Sequence, residues 1–258
     1  MTLTYIVLAT LAGGLLSVLI AASLTIGVLS RVVQSLVSLS AGVLLGTALL
    51  HVLPEAFESH VGAHELFLTL LAGLLFFFLL EKAELYRHTH HHEGDGHHHH
   101  HHFDAEQAGR GGWSVLVGDS IHNFCDGVII AAAFLTDTSL GVVTALAIVA
   151  HEIPQEVGDY IVLINAGFSR ARALLFNALS GLAAVLGGVL GYFVVGPWED
   201  LFPYLLVAAS SSFIYVAVAD LLPQMQRRLP WRQTAAQLAW LAAGLAVVMT
   251  ATSALHSH

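Results

Sequence analysis

Eight apolar stretches, each long enough to cross a lipid bilayer, account for most of this 258-residue sequence. A spanning helix needs about 20 predominantly apolar residues. Charged residues make up only 10% of the chain, whereas a soluble domain carries about 25%. The sequence therefore predicts an all-α integral membrane protein with a single transmembrane domain over 1–258. The expected spans are near 4–28, 33–54, 62–82, 113–135, 138–165, 171–195, 201–222 and 234–255.

The first stretch lacks a basic segment before it, so we interpret it as a spanning helix and not as a cleaved leader. The net charge of −9 argues against nucleic acid as a partner, because such proteins present a basic face. The lone cysteine excludes a disulfide framework within the chain.

The basic residues fall in alternate connections between the eight stretches. They are Arg31, then Lys82, Arg87 and Arg110, then Arg170 and Arg172, then Arg227, Arg228 and Arg232. The other connections carry acidic residues without a single lysine or arginine. Because basic loops stay on the cytoplasmic side, this pattern predicts that both termini are extracytoplasmic.

The third connection, near 83–112, is rich in histidine and contains interspersed glycines. We expect a cytoplasmic, disordered loop that binds metal ions loosely through neutral imidazoles. The alternative for its run of six histidines is an engineered purification tag. The candidate loop ligands are His88, His90, His91, His92, His97, His98, His99, His100, His101 and His102.

The fourth stretch contains ionisable groups that are costly at bilayer depth and mark ion pathways. Asp119, His122 and Asp126 are spaced by three and four residues, so they share one helical face. Asn123 lies about 100° from His122 around the helix and would reach the edge of the same cavity. Cys125 lies about 60° from His122, and packing is its expected role.

The fifth stretch carries the run HEIPQEVGD, in which polar groups pair at helical spacing. His151 pairs with Gln155, Glu152 pairs with Glu156, and Asp159 continues the broad polar stripe. So many polar groups cannot all face lipid. We expect this stripe to face that of the fourth stretch, with the alternative that both form a structural polar network.

Pro154 interrupts this fifth helix and has no amide hydrogen to offer the carbonyl of Ala150. A carbonyl freed at membrane depth needs water, protein or a cation, and broken helices line transport cavities. Imidazole and carboxylate together suit zinc and also iron(II), manganese, cobalt and cadmium. The predicted metal ligands are His122, Asn123, Asp126, His151, Glu152, Gln155 and Glu156.

Other polar residues are candidates for the pathway beside Asp119 and Asp159. His51 and Glu55 form an i, i+4 pair near one end of the second stretch; the alternatives are an outer access or relay site and a satisfied interfacial histidine. Asp220 ends the seventh stretch, as an exit group or as a cap. The terminal His256 and His258 are expected to be solvated.

These motifs resemble the ZIP (zinc-regulated, iron-regulated transporter-like) family. The resemblance covers nearly the whole chain: eight spans, a His-rich third connection, HNFCDG in span four and HEIPQEVGD in span five. The span-five run is similar to the branch with the His-Glu-x-Pro-His-Glu-x-Gly-Asp signature. The resemblance implies metal uptake toward the cytoplasm, ligands from spans four and five, and a homodimer, in the cell (inner) membrane if the source is prokaryotic.

Two departures from the family pattern concern the number of ions. Gln155 replaces the second histidine of that branch, and Ala184 lies where relatives with two metals have a span-six glutamate. We therefore predict one tightly held ion. No cofactor is expected apart from the transported Zn²⁺ or a similar ion. The alternatives are an intramembrane metal-dependent hydrolase, for which the HExxH pattern is missing, and a metal-sensing membrane protein that uses the His-rich loop.

Overall fold

A computed structural model describes residues 1–23, 26–89, 105–226 and 229–255. Within these ranges the chain forms helices and no strands. Three helices are continued by π-helical segments at Ala12–Leu16, Ala48–Val52 and Val216–Leu221, and one by a short 3₁₀ turn at Glu199–Leu201. The α-helices are α1 (Thr2–Leu11), α2 (Ser17–Ser23), α3 (Ile26–Thr47), α4 (Leu53–Phe57), α5 (Ala63–Thr89), α6 (Ala105–Thr136), α7 (Thr138–Asn165), α8 (Arg170–Val195), α9 (Phe202–Tyr215), α10 (Leu222–Met225) and α11 (Trp231–Leu255).

Seven helical segments of the described chain are long and apolar enough to cross a membrane. The expected fourth span, α6, is 32 residues long but is not among them. Its polar groups at Asp119, His122, Asn123 and Asp126 lower its mean hydropathy. The prediction of an all-α protein with enough spans for an integral membrane protein is confirmed.

Several described helices extend beyond the apolar stretches that predicted their spans. Residues 24 and 25 of the first span, which was expected over 4–28, lie outside the described residues, and α3 is helical from Ile26, seven residues before the expected start of the second span. Both ends of the third connection, expected over 83–112, are helical, in α5 up to Thr89 and in α6 from Ala105, and 90–104 lies outside the described residues. These helices extend beyond the predicted stretches because apolar composition marks the lipid-length part of a helix and not its ends. Of the ten loop histidines, His88 falls in the backbone of α5 and the other nine lie outside the described residues, as do His256 and His258.

Two spans change from α- to π-helix just before a proline. The segment Ala48–Val52 precedes Pro54, and Val216–Leu221 precedes Pro223. Proline cannot donate to the carbonyl one turn earlier, so wider turns relieve the mismatch. His51 lies in the first of these segments and Asp220 in the second.

The helices approach closely where glycines leave room. A side-chain carbon added at Gly127 of α6 would collide with the carbonyl of Ala184 on α8, and one at Gly187 of α8 would collide with the carbonyl of Phe124. Such close contact between backbones is typical of helix pairs in lipid. It fixes α6 against α8 and so fixes the side chains that α6 directs toward α7.

Helix α7 begins at a side-chain cap. Asp137 accepts hydrogen bonds from the backbone amides of Ser139 and Leu140, at 2.7 and 3.1 Å. Partial burial raises the pKa of Asp137, but these hydrogen bonds to its carboxylate outweigh burial and lower the pKa below its ordinary value. The cap orients α7 from its first turn.

Candidate metal centre

Four side chains from α6 and α7 meet inside the helical bundle. They are His122 and Asp126 of α6, and His151 and Glu152 of α7. One ligand atom from each lies within 4.8 Å of all the others. His151, Asp126 and Glu152 are no more than 2% exposed, whereas the side chain of His122 is 15% exposed.

The separations between these ligand atoms suit a small cation. His151 Nε2 lies 3.3 Å from His122 Nε2, 3.1 Å from Asp126 Oδ2 and 3.6 Å from Glu152 Oε1. His122 Nε2 lies 3.8 Å from Asp126 Oδ2 and 3.9 Å from Glu152 Oε1. Ligand atoms about 2.0–2.1 Å from a tetrahedral zinc ion are about 3.3 Å apart. A modest contraction of the group would therefore complete a zinc-like coordination shell.

The protonation pattern favours a metal between these groups. His151 Nδ1 lies 3.2 Å from the carbonyl oxygen of Ala147, which can only accept a hydrogen bond. This contact keeps the proton on Nδ1 and leaves the lone pair of Nε2 directed at the cluster. Both carboxylate oxygens of Glu152 are buried without a hydrogen-bond partner among the described residues. Buried carboxylate oxygens in that state are suited to a cation.

Asn123 and Gln155 use their amide groups on a neighbouring carboxylate. Asn123 Nδ2 donates to Asp119 Oδ1 at 2.9 Å, and Gln155 Nε2 donates to the same oxygen at 3.2 Å. Asp119 thus joins α6 to α7 one turn from His122. With their nitrogens engaged, Asn123 and Gln155 retain only their carbonyl oxygens for a metal. Their role as metal ligands stays a prediction.

Glu156 lies outside the cluster of four. It is fully buried, and Asn177 of α8 donates from Nδ2 to its backbone carbonyl at 3.1 Å. Five residues along a helix correspond to about 140° of rotation, so Glu156 lies well round from His151. As a metal ligand it also stays a prediction.

The carbonyl freed by Pro154 is satisfied by protein. Ser40 Oγ of α3 donates to the carbonyl oxygen of Ala150 at 2.5 Å. Of the partners that the sequence allowed, the structure supplies a side chain from a distant helix. This bond ties α3 to α7 next to His151.

Two cavities extend from one side of the cluster. One, of about 230 Å³, is lined by His122, Asp119, Gln155, Asp159 and Asp220, among other residues. The other, of about 310 Å³, reaches His151 and shares Gln155, Asp159 and Asp220 with the first. Polar groups therefore continue from the cluster to the end of the seventh span. Asp220 is exposed there and accepts a hydrogen bond from Gln224 at 2.9 Å.

The opposite side of the cluster is closed by apolar side chains. The ring of Phe213 on α9 is fully buried, and its centroid lies 6.4 Å from that of His151. Val52, Val143 and Ala147 belong to the same apolar core. The cluster thus has an open polar side and a sealed apolar side.

The remaining candidates lie apart from the cluster of four. His51 is 6% exposed, and Glu55 lies one turn further along the second span. Cys125 is free and lines an apolar groove between α5 and α6 with Phe77 and Val128. Sequence analysis missed Ser40 and Phe213, because neither belongs to a motif and each meets the site from a helix distant along the chain.

Comparisons with known proteins agree with the site chemistry. The family model described as "ZIP Zinc transporter" matches residues 1–102 and 82–252. "Zinc transporter ZIP13" of Pongo abelii is 32% identical over 234 residues, which is 84% of this chain and 66% of that protein. "Zinc transporter ZIP6" of Homo sapiens is 41% identical over 113 residues, 44% of this chain and 15% of that protein. "Zinc transporter ZIP4" of Mus musculus is 40% identical over 120 residues, 45% of this chain and 18% of that protein. The chain therefore spans less than two thirds of the length of these relatives.

Proposed function

This chain belongs to the ZIP zinc transporter family, and on that premise we propose that it carries divalent transition-metal ions, zinc foremost, across its membrane toward the cytoplasm. The observation that carries the proposal is the group of His122, Asp126, His151 and Glu152 within membrane-spanning helices. Two imidazoles and two carboxylates make a donor set that zinc, iron(II), manganese and cadmium all accept. The transported ion is the substrate of this site.

Release follows the polar cavities. An ion leaving His122 and His151 would meet the oxygens of Asp119 and Asp159 before reaching Asp220. By the distribution of basic residues, Asp220 is at the cytoplasmic end. This direction supports the proposal of inward transport with both termini extracytoplasmic. His51 and Glu55 would then lie on the opposite, outer side, where an ion arrives.

The ion binds by displacing protons. Imidazole nitrogens ligate metal only when neutral, and carboxylates only when deprotonated, so affinity falls as pH falls. Asp119 would hold the amides of Asn123 and Gln155 so that their oxygens can complete the shell. Transport requires the site to open alternately to each side, because the apolar side is sealed in this conformation.

We further propose one tightly bound ion per chain, a homodimeric assembly, and a His-rich loop that binds several ions weakly. Ala184, 3% exposed, provides no ligand on α8 near the cluster. The proposed stoichiometry is measured by isothermal titration of zinc into the purified protein. Two ions of equal, high affinity would contradict it. A hydrolase has no specific observation in its favour, and the relatives point to a transporter.

Flux measurements in liposomes test the proposed function. Purified protein is reconstituted with a zinc-sensitive dye inside the vesicles, and zinc is added outside. We expect zinc uptake that saturates with concentration and that is lost in His151→Ala. The matched control is His64→Ala, which removes an exposed histidine at the start of α5. Equal flux in the wild type and in protein-free vesicles would exclude transport.

A further inference from the structure

Hydroxyl groups in these helices usually bond to a carbonyl one turn earlier in the same helix. Ser211 donates to the carbonyl of Val207 at 2.8 Å, and Thr252 donates to that of Val248 at 2.9 Å. This arrangement satisfies the hydroxyl hydrogen inside an apolar bundle. A buried hydroxyl that lacks it is a cost to the fold and needs an explanation.

Three hydroxyls depart from this pattern. The oxygens of Thr47, Thr144 and Ser210 are buried without a hydrogen-bond partner among the described residues. All three residues are 0% exposed. They belong to α3, α7 and α9, which are the helices that supply the apolar side of the cluster.

The three hydroxyls lie on the approach to the cluster from its sealed side. Thr144 precedes His151 by seven residues, which returns it to within about 20° of the same helical face. Ser210 precedes Phe213 by about one turn. Thr47 lies seven residues beyond Ser40, which bonds to the carbonyl of Ala150, and so on the side away from Val37 and the second cavity. The two cavities are on the other side, after His151 along α7.

We propose that Thr47, Thr144 and Ser210 line the route by which a divalent cation reaches His151, and that Phe213 closes this route in the present conformation. The inference rests on the proposed function and extends it to the access side. Neutral hydroxyl oxygens can replace some of the waters around a metal ion without holding it as firmly as carboxylates. When the route opens, the hydroxyls gain the partners that they lack in the closed conformation.

A pair of substitutions separates this role from a purely structural one. Thr144→Val replaces the unpartnered hydroxyl with a methyl group of similar size. We expect it to raise the melting temperature while lowering zinc flux about tenfold, a change of about 1.4 kcal/mol in the barrier. Thr144→Ser should restore most of the flux. The matched control is Thr252→Val, whose hydroxyl is already bonded within its own helix.

The result also separates this inference from the proposed function. Full flux in Thr144→Val, with flux lost in His151→Ala, would overturn the access route and leave the transport proposal standing. Full flux in both variants would overturn the route and the cluster of four as the transport site. Wild-type flux no higher than in protein-free vesicles would overturn the transport proposal itself. Equal loss in Thr144→Val and Thr252→Val would also count against the route.

The role of Phe213 is tested by thiol accessibility. Cys125 is the lone cysteine, so Cys125→Ala gives a background without thiols. On it, Ser210→Cys is exposed to a membrane-impermeant methanethiosulfonate reagent on the cytoplasmic side, because along α9 Phe213 separates Ser210 from the cavity-lining Tyr215. We expect slow labelling that accelerates at least about tenfold when Phe213→Ala is added. Phe213→Leu, which keeps more of the core volume, serves if the alanine variant does not fold. Unchanged labelling with a folded Phe213 variant would overturn the closing role.

Discussion

The residues of α7 before His151 and those after it share one helix but meet different surroundings. Before His151, Leu140, Val143 and Ala147 are at most 1% exposed and pack in the apolar core. After it, Gln155 and Asp159 line both cavities. A site that is sealed on one side and open on the other is expected of an alternating-access transporter in a conformation open to one side of the membrane.

This difference shows that the cluster of four, His122, Asp126, His151 and Glu152, is the boundary between two environments. On the sealed side apolar side chains pack together in the core, and on the open side Gln155 and Asp159 bring side-chain oxygen atoms to the cavities. The helix itself is continuous from Thr138 to Asn165, so the contrast comes from the elements packed against it, α3 among them, and from Phe213 of α9 beside His151. The largest effects of substitution are expected at the cluster of four, smaller ones in the two halves of α7, and the smallest in distant segments of the chain.

The largest effect is expected at the boundary. Replacing His122, Asp126, His151 or Glu152 with alanine should lower zinc flux by at least about 100-fold, because each removes one of four ligands. The protein should stay folded in each case, as judged by gel filtration and thermal unfolding. Unchanged flux in two of the four variants would refute the site.

The open half should tolerate change better. Asp119→Asn removes the negative charge that accepts hydrogen bonds from the amides of Asn123 and Gln155. We expect metal affinity to fall about 10- to 100-fold, as it does when other groups that orient metal ligands are replaced. Zinc titration measures the affinity and the liposome assay measures the flux. Asp220→Asn is the comparison: it should slow flux without weakening affinity, because Asp220 is at the far end of the cavity.

The hydrogen bond between Ser40 and Ala150 supports both halves. Ser40→Ala leaves the carbonyl beside Pro154 without its partner, which should lower the free energy of unfolding by about 1–3 kcal/mol. Thermal unfolding in detergent measures the change. Ser253→Ala is the matched control, since that exposed hydroxyl bonds only within its own helix. Equal stability of both variants would show that the bond is dispensable.

The cap at the start of α7 should contribute less. Asp137→Ala should destabilise the protein by about 1 kcal/mol, because the first-turn amides lose an acceptor. The folded-state pKa of Asp137 is lowered, so its contribution is present at neutral pH. It is lost as pH falls below the ordinary value of about 3.9 and through the folded-state pKa. A stability difference between wild type and variant that persisted unchanged at the lowest pH would contradict this assignment.

Deleting residues 88–102 should have the smallest effect on the transport cycle, because the cluster of four belongs to α6 and α7. Flux of the deletion variant in liposomes should stay within about twofold of wild type, whereas its weak zinc binding by the loop histidines should vanish. In the wild type, the same weak binding should be lost below pH about 6.5. Loss of flux in a well-folded deletion variant would make the loop part of the pathway.

Sequence alone determined the membrane class and the polar stripes of α6 and α7. Apolar length and charge scarcity set the spans, because both depend on composition within one segment. Helical spacing aligned His122 with Asp126 for the same reason. The resemblance to the family also followed from contiguous motifs. Helix ends were harder, since α5 and α6 continue as helix beyond the apolar stretches that predicted their spans, and composition alone does not fix where a helix ends.

Tertiary structure decided everything that depends on contacts between distant segments. Only the packing of α3 against α7 brings the hydroxyl of Ser40 within hydrogen-bond distance of the carbonyl of Ala150, which is 110 residues away in the sequence. Only the fold directs the amide of Gln155 to Asp119 and brings the ring of Phe213 against His151. Periodicity fixes the direction of a side chain around its own helix, but its partner is fixed by which helix lies opposite, and that depends on the packing of the whole bundle.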